Sequence, residues 1–265
     1  MKIIKYIIIG LIQGLTEPLP ISSSAHMVFI NHYFKLEPMS LNFEIIINFA
    51  STLAIALFFF RDLKDLIINT FKKNKDSIYN HTYMAKLVIA SIPAALVGFL
   101  CHELIDEYFL SFFSCSIFLF ITGLFLCLCL FLLKKEKSFT ENINYKNAIF
   151  IGTFQAIALI PGLSRSGLTL TAGLSQNIKL KNTLKFSFFL YLIASIGALI
   201  LSLFKLSNTS FDIVPTILSG VSAFVGTSIS IRIFYNLLNK KLIKFFMFYC
   251  FLVSIINIII YFANL

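Results

Sequence analysis

Six apolar stretches, 41–60, 84–101, 113–133, 184–205, 213–232 and 243–263, each run for about 20 residues, long enough to cross a hydrocarbon core as a helix. Nothing soluble is built this way: 58% of the 265 residues are hydrophobic and only 13% are charged. The expected fold is an all-α polytopic membrane protein, one integral domain over 1–265. The net charge of +10 is carried by Lys and Arg in the short connections, not along one amphipathic face, so it reads as a topology signal and excludes a nucleic-acid partner. Cys101, Cys115, Cys127, Cys129 and Cys250 sit in or beside the apolar runs with no metal-ligand spacing, as small buried hydrophobes.

Two further segments are too short to span. "GLIQGLTEPLPISSS" (10–24) and "GTFQAIALIPGLSRS" (152–166) align without a gap at an offset of 142, sharing Gly10/Gly152, Gln13/Gln155, Ser22/Ser164 and Ser24/Ser166. Each is a short apolar helix, a proline break and a serine-rich turn, which suits a re-entrant hairpin. "FEIIINFASTLAIALFFFR" (43–61) likewise resembles "FSFFLYLIASIGALILSLFK" (186–205), which favours a duplication with copies of about 1–140 and 147–265. The start of the chain, with Lys2 and Lys5 before an apolar run, imitates a signal peptide. The repeat marks it as structural instead.

Connections 61–86, 134–146 and 232–244 hold six, four and four Lys or Arg, and 102–110, "HELIDEYFL", holds three acids and no Lys or Arg. The basic connections belong on the cytoplasmic side and 102–110 outside. Hairpin 1–40 then enters from outside and hairpin 147–183 from the cytoplasm, so six transmembrane helices plus two re-entrant helical hairpins form an inverted repeat. Broken helices from inverted copies meet near mid-membrane, where a polar site belongs.

At membrane depth the ionisable residues are Glu17, His26, Glu44 and Arg165. Such groups are costly in hydrocarbon and mark sites or mutual pairing. Gln13 and Glu17 share a helix face, either to satisfy backbone freed by Pro18 and Pro20 or to serve a site. Ser22 suits an N-cap, and Ser22 or Ser23 could reach His26 one turn on, the arrangement of a hydroxyl activated by a base. In "PGLSRSGLT" (161–169), Gly162 permits a tight turn, Ser164 and Ser166 offer hydroxyls at a helix start, and Arg165 shares a face with Thr169. A guanidinium, hydroxyls and helix N–H groups at one point describe a phosphate clamp, and Arg165 could equally rest on Glu17. Glu44 and Asn48 are one turn apart, with Glu44 a secondary candidate for metal work.

These segments resemble the undecaprenyl-diphosphatase family of bacitracin-resistance membrane phosphatases. "QGLTEPLPISSSAH" is similar to its (E/Q)xxxE segment with the proline-serine-histidine element, and "PGLSRSGLT" to its PGxSRSxxT segment. The resemblance implies hydrolysis of undecaprenyl diphosphate to undecaprenyl phosphate and phosphate in the bacterial plasma membrane, recycling the peptidoglycan lipid carrier, with the site open to the outer face. It implies a divalent cation, Mg²⁺ or Ca²⁺, for which Glu17 is a candidate ligand beside the secondary candidate Glu44. Glu17, Ser23, His26 and Arg165 take the catalytic positions, and Gln13, Ser22, Ser164, Ser166 and Thr169 the substrate-binding ones. Expected partners are the lipid and the bilayer, with a homodimer left open. Gln13 is the amide variant of the acidic pair, Ala25 replaces a usual glycine, and "FFLYLIAS" lacks a proline common in that segment.

A polyprenyl-phosphate transporter or flippase is the alternative; it would need Arg165 but no serine-base pair. A soluble-type acid phosphatase is excluded, since it needs a later His-x-x-x-Asp and no histidine follows His102. The topology predicts that a cysteine placed at Asp106 reacts with a membrane-impermeant thiol reagent in whole cells, and labelling only after lysis would reverse it.

Overall fold

The computed structural model describes residues 2–34, 41–71, 75–134, 138–204 and 212–263. Among these the chain forms eleven helices: α1 (Lys2–Thr16), α2 (Ser23–Phe34), α3 (Leu41–Phe58), α4 (Phe60–Phe71), α5 (Lys75–Phe109), α6 (Phe112–Lys134), α7 (Tyr145–Ile157), α8 (Arg165–Ser175), α9 (Leu180–Phe204), α10 (Ile213–Leu237) and α11 (Lys240–Ala263). The β-pairing described is one isolated parallel bridge, Thr140 with Ile178. Parts of α5, α6, α9, α10 and α11 are long and apolar enough to span, and α3 with α4 makes up to a sixth span. The chain is thus an all-helical polytopic membrane protein, and α1–α2 and α7–α8 are two short hairpins broken at prolines. Lys72 and Lys73 of the 61–86 connection, Lys135 and Lys137 of 134–146, and residues 35–40 at the end of the first hairpin lie outside the described residues.

The structure corrects two expected boundaries. The run 41–60 is not one straight helix: the chain turns by 71° at Phe59. Beyond it "FRDLKDLIINTF" alternates charged and apolar residues at helical spacing, which makes α4 amphipathic, with Leu66 and Thr70 buried. The supposed connection 102–110 is helical through Phe109, leaving only Leu110 and Ser111 before α6.

Lipid is as apolar as leucine, so these helices associate through close backbone approach and hydrogen bonds rather than through burial of large side chains. On α10 the large residues Ile217, Val221, Val225, Ile229 and Ile233 face outward, while Ser219, Gly220, Ala223, Gly226, Thr227 and Ser230 are buried. Against that inner face lies α1. A Cβ added to Gly14 would stand 2.1 Å from the Ala223 carbonyl oxygen, and one added to Gly10 would stand 2.0 Å from that of Ser219. The same contact recurs where α7 packs on α5: a Cβ at Gly152 would stand 2.0 Å from the Ala90 carbonyl oxygen. Each hairpin therefore leans on a helix of the other half of the chain. Ser222 Oγ donates to the Ile7 carbonyl at 2.9 Å and adds a polar tie between α1 and α10.

Gly14→Ala and Gly152→Ala are each expected to destabilise the protein by about 1–3 kcal/mol through overpacking. Equilibrium unfolding in detergent measures this, and two variants as stable as wild type would contradict the contacts.

Candidate active site

Proline creates the site by stopping α1 at depth. Pro18 has no N–H for the Gly14 carbonyl, and Ser230 Oγ of α10 donates to that carbonyl at 3.1 Å instead. Gln13 and Glu17 are thus not needed for the freed backbone. Beyond the break Ser22 adopts φ +61°, a left-handed conformation unfavourable for serine. His26 holds it there, with Nδ1 2.8 Å from the Ser22 carbonyl oxygen. Ser22 Oγ accepts the Ala25 N–H at 3.4 Å, and α2 begins at Ser23.

The second break has the same plan. Ile160 N–H donates to the Ile157 carbonyl that Pro161 cannot reach, at 3.2 Å, and Gly162 turns the chain at φ +98°. Thr122 of α6 pins the turn, donating to the Gly162 carbonyl at 3.1 Å and accepting the Ser164 N–H at 3.0 Å. Ser164 then caps α8, accepting the Gly167 N–H at 3.3 Å.

The two breaks touch. Gly162 N–H donates to Ser24 Oγ at 3.3 Å, and Arg165 Nη2 donates to Glu17 Oε1 at 3.3 Å, with both side chains largely buried. The other carboxylate oxygen, Oε2, accepts Ser23 Oγ at 2.7 Å and Gln13 Nε2 at 2.9 Å. Gln13 Nε2 also donates to Asn48 Oδ1 of α3 at 2.8 Å. The Arg165 guanidinium lies 3.8 Å from the centre of the Tyr191 ring, and its Nη1 has no hydrogen-bond partner among the described residues. Glu17, Ser22, Ser23, Ser164, Arg165 and Ser166 all line one cavity of about 560 Å³. A hydroxyl on a carboxylate, with a guanidinium nitrogen to spare at a helix N-terminus, can bind a phosphate and deprotonate a nucleophile beside it.

Four expected residues sit elsewhere, the first being Gln13, which is 3% exposed and holds Glu17 and Asn48 from outside the residues that line the cavity. His26 does not pair with Ser22 Oγ or Ser23 Oγ: Nδ1 is taken by the Ser22 carbonyl, and Nε2 lies 2.7 Å from the Tyr249 hydroxyl of α11. The proton acceptor in contact with Ser23 is Glu17 instead. Thr169 is fully buried away from the cavity, its hydroxyl donating to the Arg165 carbonyl at 2.7 Å and meeting Ser187 Oγ of α9 at 2.6 Å. Glu44 is outside this cavity. It lines a neighbouring one of about 360 Å³ with Glu17, Asn48, Thr52 and Tyr191.

That second cavity carries the test for a cation. Glu17, Glu44 and the Asn48 amide offer oxygen donors only, and no group of three or more His, Cys, Asp or Glu converges among the described residues. Mg²⁺ is commonly held by one or two carboxylates with waters and substrate phosphates, so the donor set fits it better than it fits Ca²⁺, which takes six to eight oxygens. Sequence reasoning missed Tyr191, Ser24, Gln155 and Tyr249. For Tyr191 a signal existed, a lone hydroxylated ring within the Phe-rich run "FSFFLYLIAS".

The profile of the family described as bacitracin resistance protein BacA matches residues 6–256. This chain belongs to that family. It is similar to undecaprenyl-diphosphatase 2 of Bacillus thuringiensis (strain Al Hakam), 38% identical over 264 residues with 97% of each chain covered. It is also similar to the undecaprenyl-diphosphatases of Acholeplasma laidlawii, 37% identical with 98% of each covered, and Oceanobacillus iheyensis, 31% identical with 97% of this chain and 96% of that one covered. The BacA match takes in both breaks and every polar residue of the cavity.

Stacking on a desolvated guanidinium contributes up to about 2 kcal/mol. Tyr191→Leu is therefore expected to weaken binding of orthovanadate, measured calorimetrically, by about tenfold, whereas Tyr191→Phe keeps the ring and most of the affinity. Equal losses in both variants would show that the ring face is not what holds Arg165.

Proposed function

We propose that this chain hydrolyses undecaprenyl diphosphate to undecaprenyl phosphate and phosphate, from the outer face of the bacterial plasma membrane, at the meeting of two inverted copies spanning about 1–140 and 147–265. The observation that carries the reading is the Ser23 Oγ to Glu17 Oε2 hydrogen bond of 2.7 Å, beside Arg165, in a cavity whose remaining wall is mostly apolar. Recycling the lipid carrier in this way accounts for bacitracin resistance and for a part in peptidoglycan synthesis.

Arg165 and the first N–H groups of α8 receive the terminal phosphate, and Tyr191 keeps the guanidinium plane in place. Ser23 Oγ attacks the terminal phosphorus as its proton passes to Glu17. The bond from phosphorus to the bridging oxygen breaks, and undecaprenyl phosphate leaves with the electron pair. Water then attacks the phosphoserine, its proton returning the Ser23 hydroxyl, while the Glu17 proton leaves with the phosphate. Gln13 orients Glu17. His26 acts as a positioning residue, because its Nδ1 holds the strained Ser22 carbonyl that aims Ser23. A Mg²⁺ ion held by Glu17 and Glu44, with Asn48, would supply charge neutralisation to the diphosphate.

Purified protein with Mg²⁺ should release phosphate from undecaprenyl diphosphate, and chelation with EDTA should stop it. Arg165→Ala and Glu17→Ala should each lower kcat/KM by at least about 10²-fold, the scale for losing one preorganised charge-stabilising group. Acid quench should trap phosphate on Ser23. Near-wild-type rates in either variant would remove the assigned role, and lipid movement across liposomes without phosphate release would replace hydrolysis with transport.

A further inference from the structure

Gly98 of α5 and Gly197 of α9 have no packing reason to be glycine. At Gly10, Gly14 and Gly152 an added Cβ would collide with a neighbouring backbone, but at Gly197 it would meet nothing within 4 Å, and at Gly98 only Leu159 Cδ1 at 3.6 Å. Glycine inside a helix is unfavourable relative to alanine, so leaving both bare calls for another cause. Both line the cavity of about 560 Å³, beside Ala94, Ala95, Ala194 and Ala198, and its other end holds Glu17, Ser23 and Arg165. These small residues form a cleft running from the phosphate-binding end between α5 and α9.

A separate observation marks the cavity as made for a ligand. Gln155 is only 3% exposed, lines the cavity, and its Oε1 has no hydrogen-bond partner among the described residues. Its Nε2 donates to the Leu190 backbone carbonyl at 3.5 Å, which leaves the oxygen alone without a partner. A buried carbonyl oxygen without a donor is unfavourable in the protein alone. A donor brought by a ligand in the cavity would relieve it.

We propose that the cleft between α5 and α9 seats the isoprene units next to the diphosphate, with Gly98 and Gly197 as the residues that gauge its width. This rests on the hydrolase reading and deepens it. A methyl-branched, rigidly unsaturated chain is bulkier near its head than a straight acyl chain, and side chains at 98 and 197 would occupy the space it needs. Gly98 and Gly197 therefore set specificity for the lipid without touching the reacting atoms.

The test compares kcat/KM for undecaprenyl diphosphate with that for methyl diphosphate, which carries no isoprene. In Gly197→Leu and Gly98→Leu the ratio of the two should fall at least tenfold, with the thermal midpoint in detergent no lower than wild type for Gly197→Leu. The smaller Gly197→Ala should lower the ratio less than Gly197→Leu does. A ratio within twofold of wild type in Gly197→Leu, or an equal loss on both substrates with a lowered midpoint, overturns the proposal. If the wild type releases no phosphate from either substrate, the hydrolase reading fails by itself. The cleft is then judged by binding of undecaprenyl phosphate: a tenfold weakening in Gly197→Leu upholds it, and unchanged binding overturns it.

Discussion

A carboxylate and a guanidinium, both removed from water, meet across two chain breaks inside a membrane protein, and the rest of the architecture serves that meeting. Burying either charge alone in such a setting is prohibitive, and even a buried pair is favourable only when its remaining hydrogen-bonding positions are filled. Glu17 meets that condition with three donors, Arg165, Ser23 and Gln13. Arg165 meets it in part, through Glu17 and the face of Tyr191, while its buried Nη1 has no hydrogen-bond partner among the described residues. In the proposed reaction, an arriving phosphate would complete the incomplete half of the pair.

Bringing the two residues together requires both breaks to lie at one depth. The hairpins reach it by leaning on helices of the opposite half, α1 on α10 and α7 on α5, with glycine allowing backbone contact in each case. The carbonyl that Pro18 frees is then satisfied by the Ser230 hydroxyl of α10 and the one that Pro161 frees by the Ile160 N–H, while Thr122 of α6 pins the second turn at Gly162 and Ser164. Serine and threonine do the structural work of the breaks, which leaves Glu17, Ser23 and Arg165 available for chemistry. The left-handed Ser22, held by His26, is a local strain the surroundings maintain so that Ser23 faces Glu17.

Much of this was legible in the chain because spans and breaks are local signals. Apolar length located the helices, proline located the breaks, and the rarity of charge at depth singled out Glu17 and Arg165. The misreadings came from distant partners. Helical spacing put His26 within reach of the serines, but its ring turns instead to the backbone of Ser22 and to Tyr249, 223 residues away. Thr169 shares a turn with Arg165 yet hydrogen-bonds inward to Ser187 of α9. The bend at Phe59 and the helical 102–109 segment were hidden because charge was read as the end of a helix, whereas an amphipathic helix carries charge on one face and continues. Gln155 was visible beside Gln13 in the sequence, but the lack of a donor for its oxygen depends on the packing around it.

Both hairpins are proposed to form one phosphate site, with Ser23 as nucleophile and Arg165 moving from carboxylate to phosphate. A crystal structure with orthovanadate tests this most directly. Vanadium should be bonded to Ser23 Oγ, with an Arg165 guanidinium nitrogen on a vanadate oxygen and the N–H groups at the start of α8 on the same group. Vanadate bound away from Ser23, with Arg165 still paired only to Glu17, would contradict it.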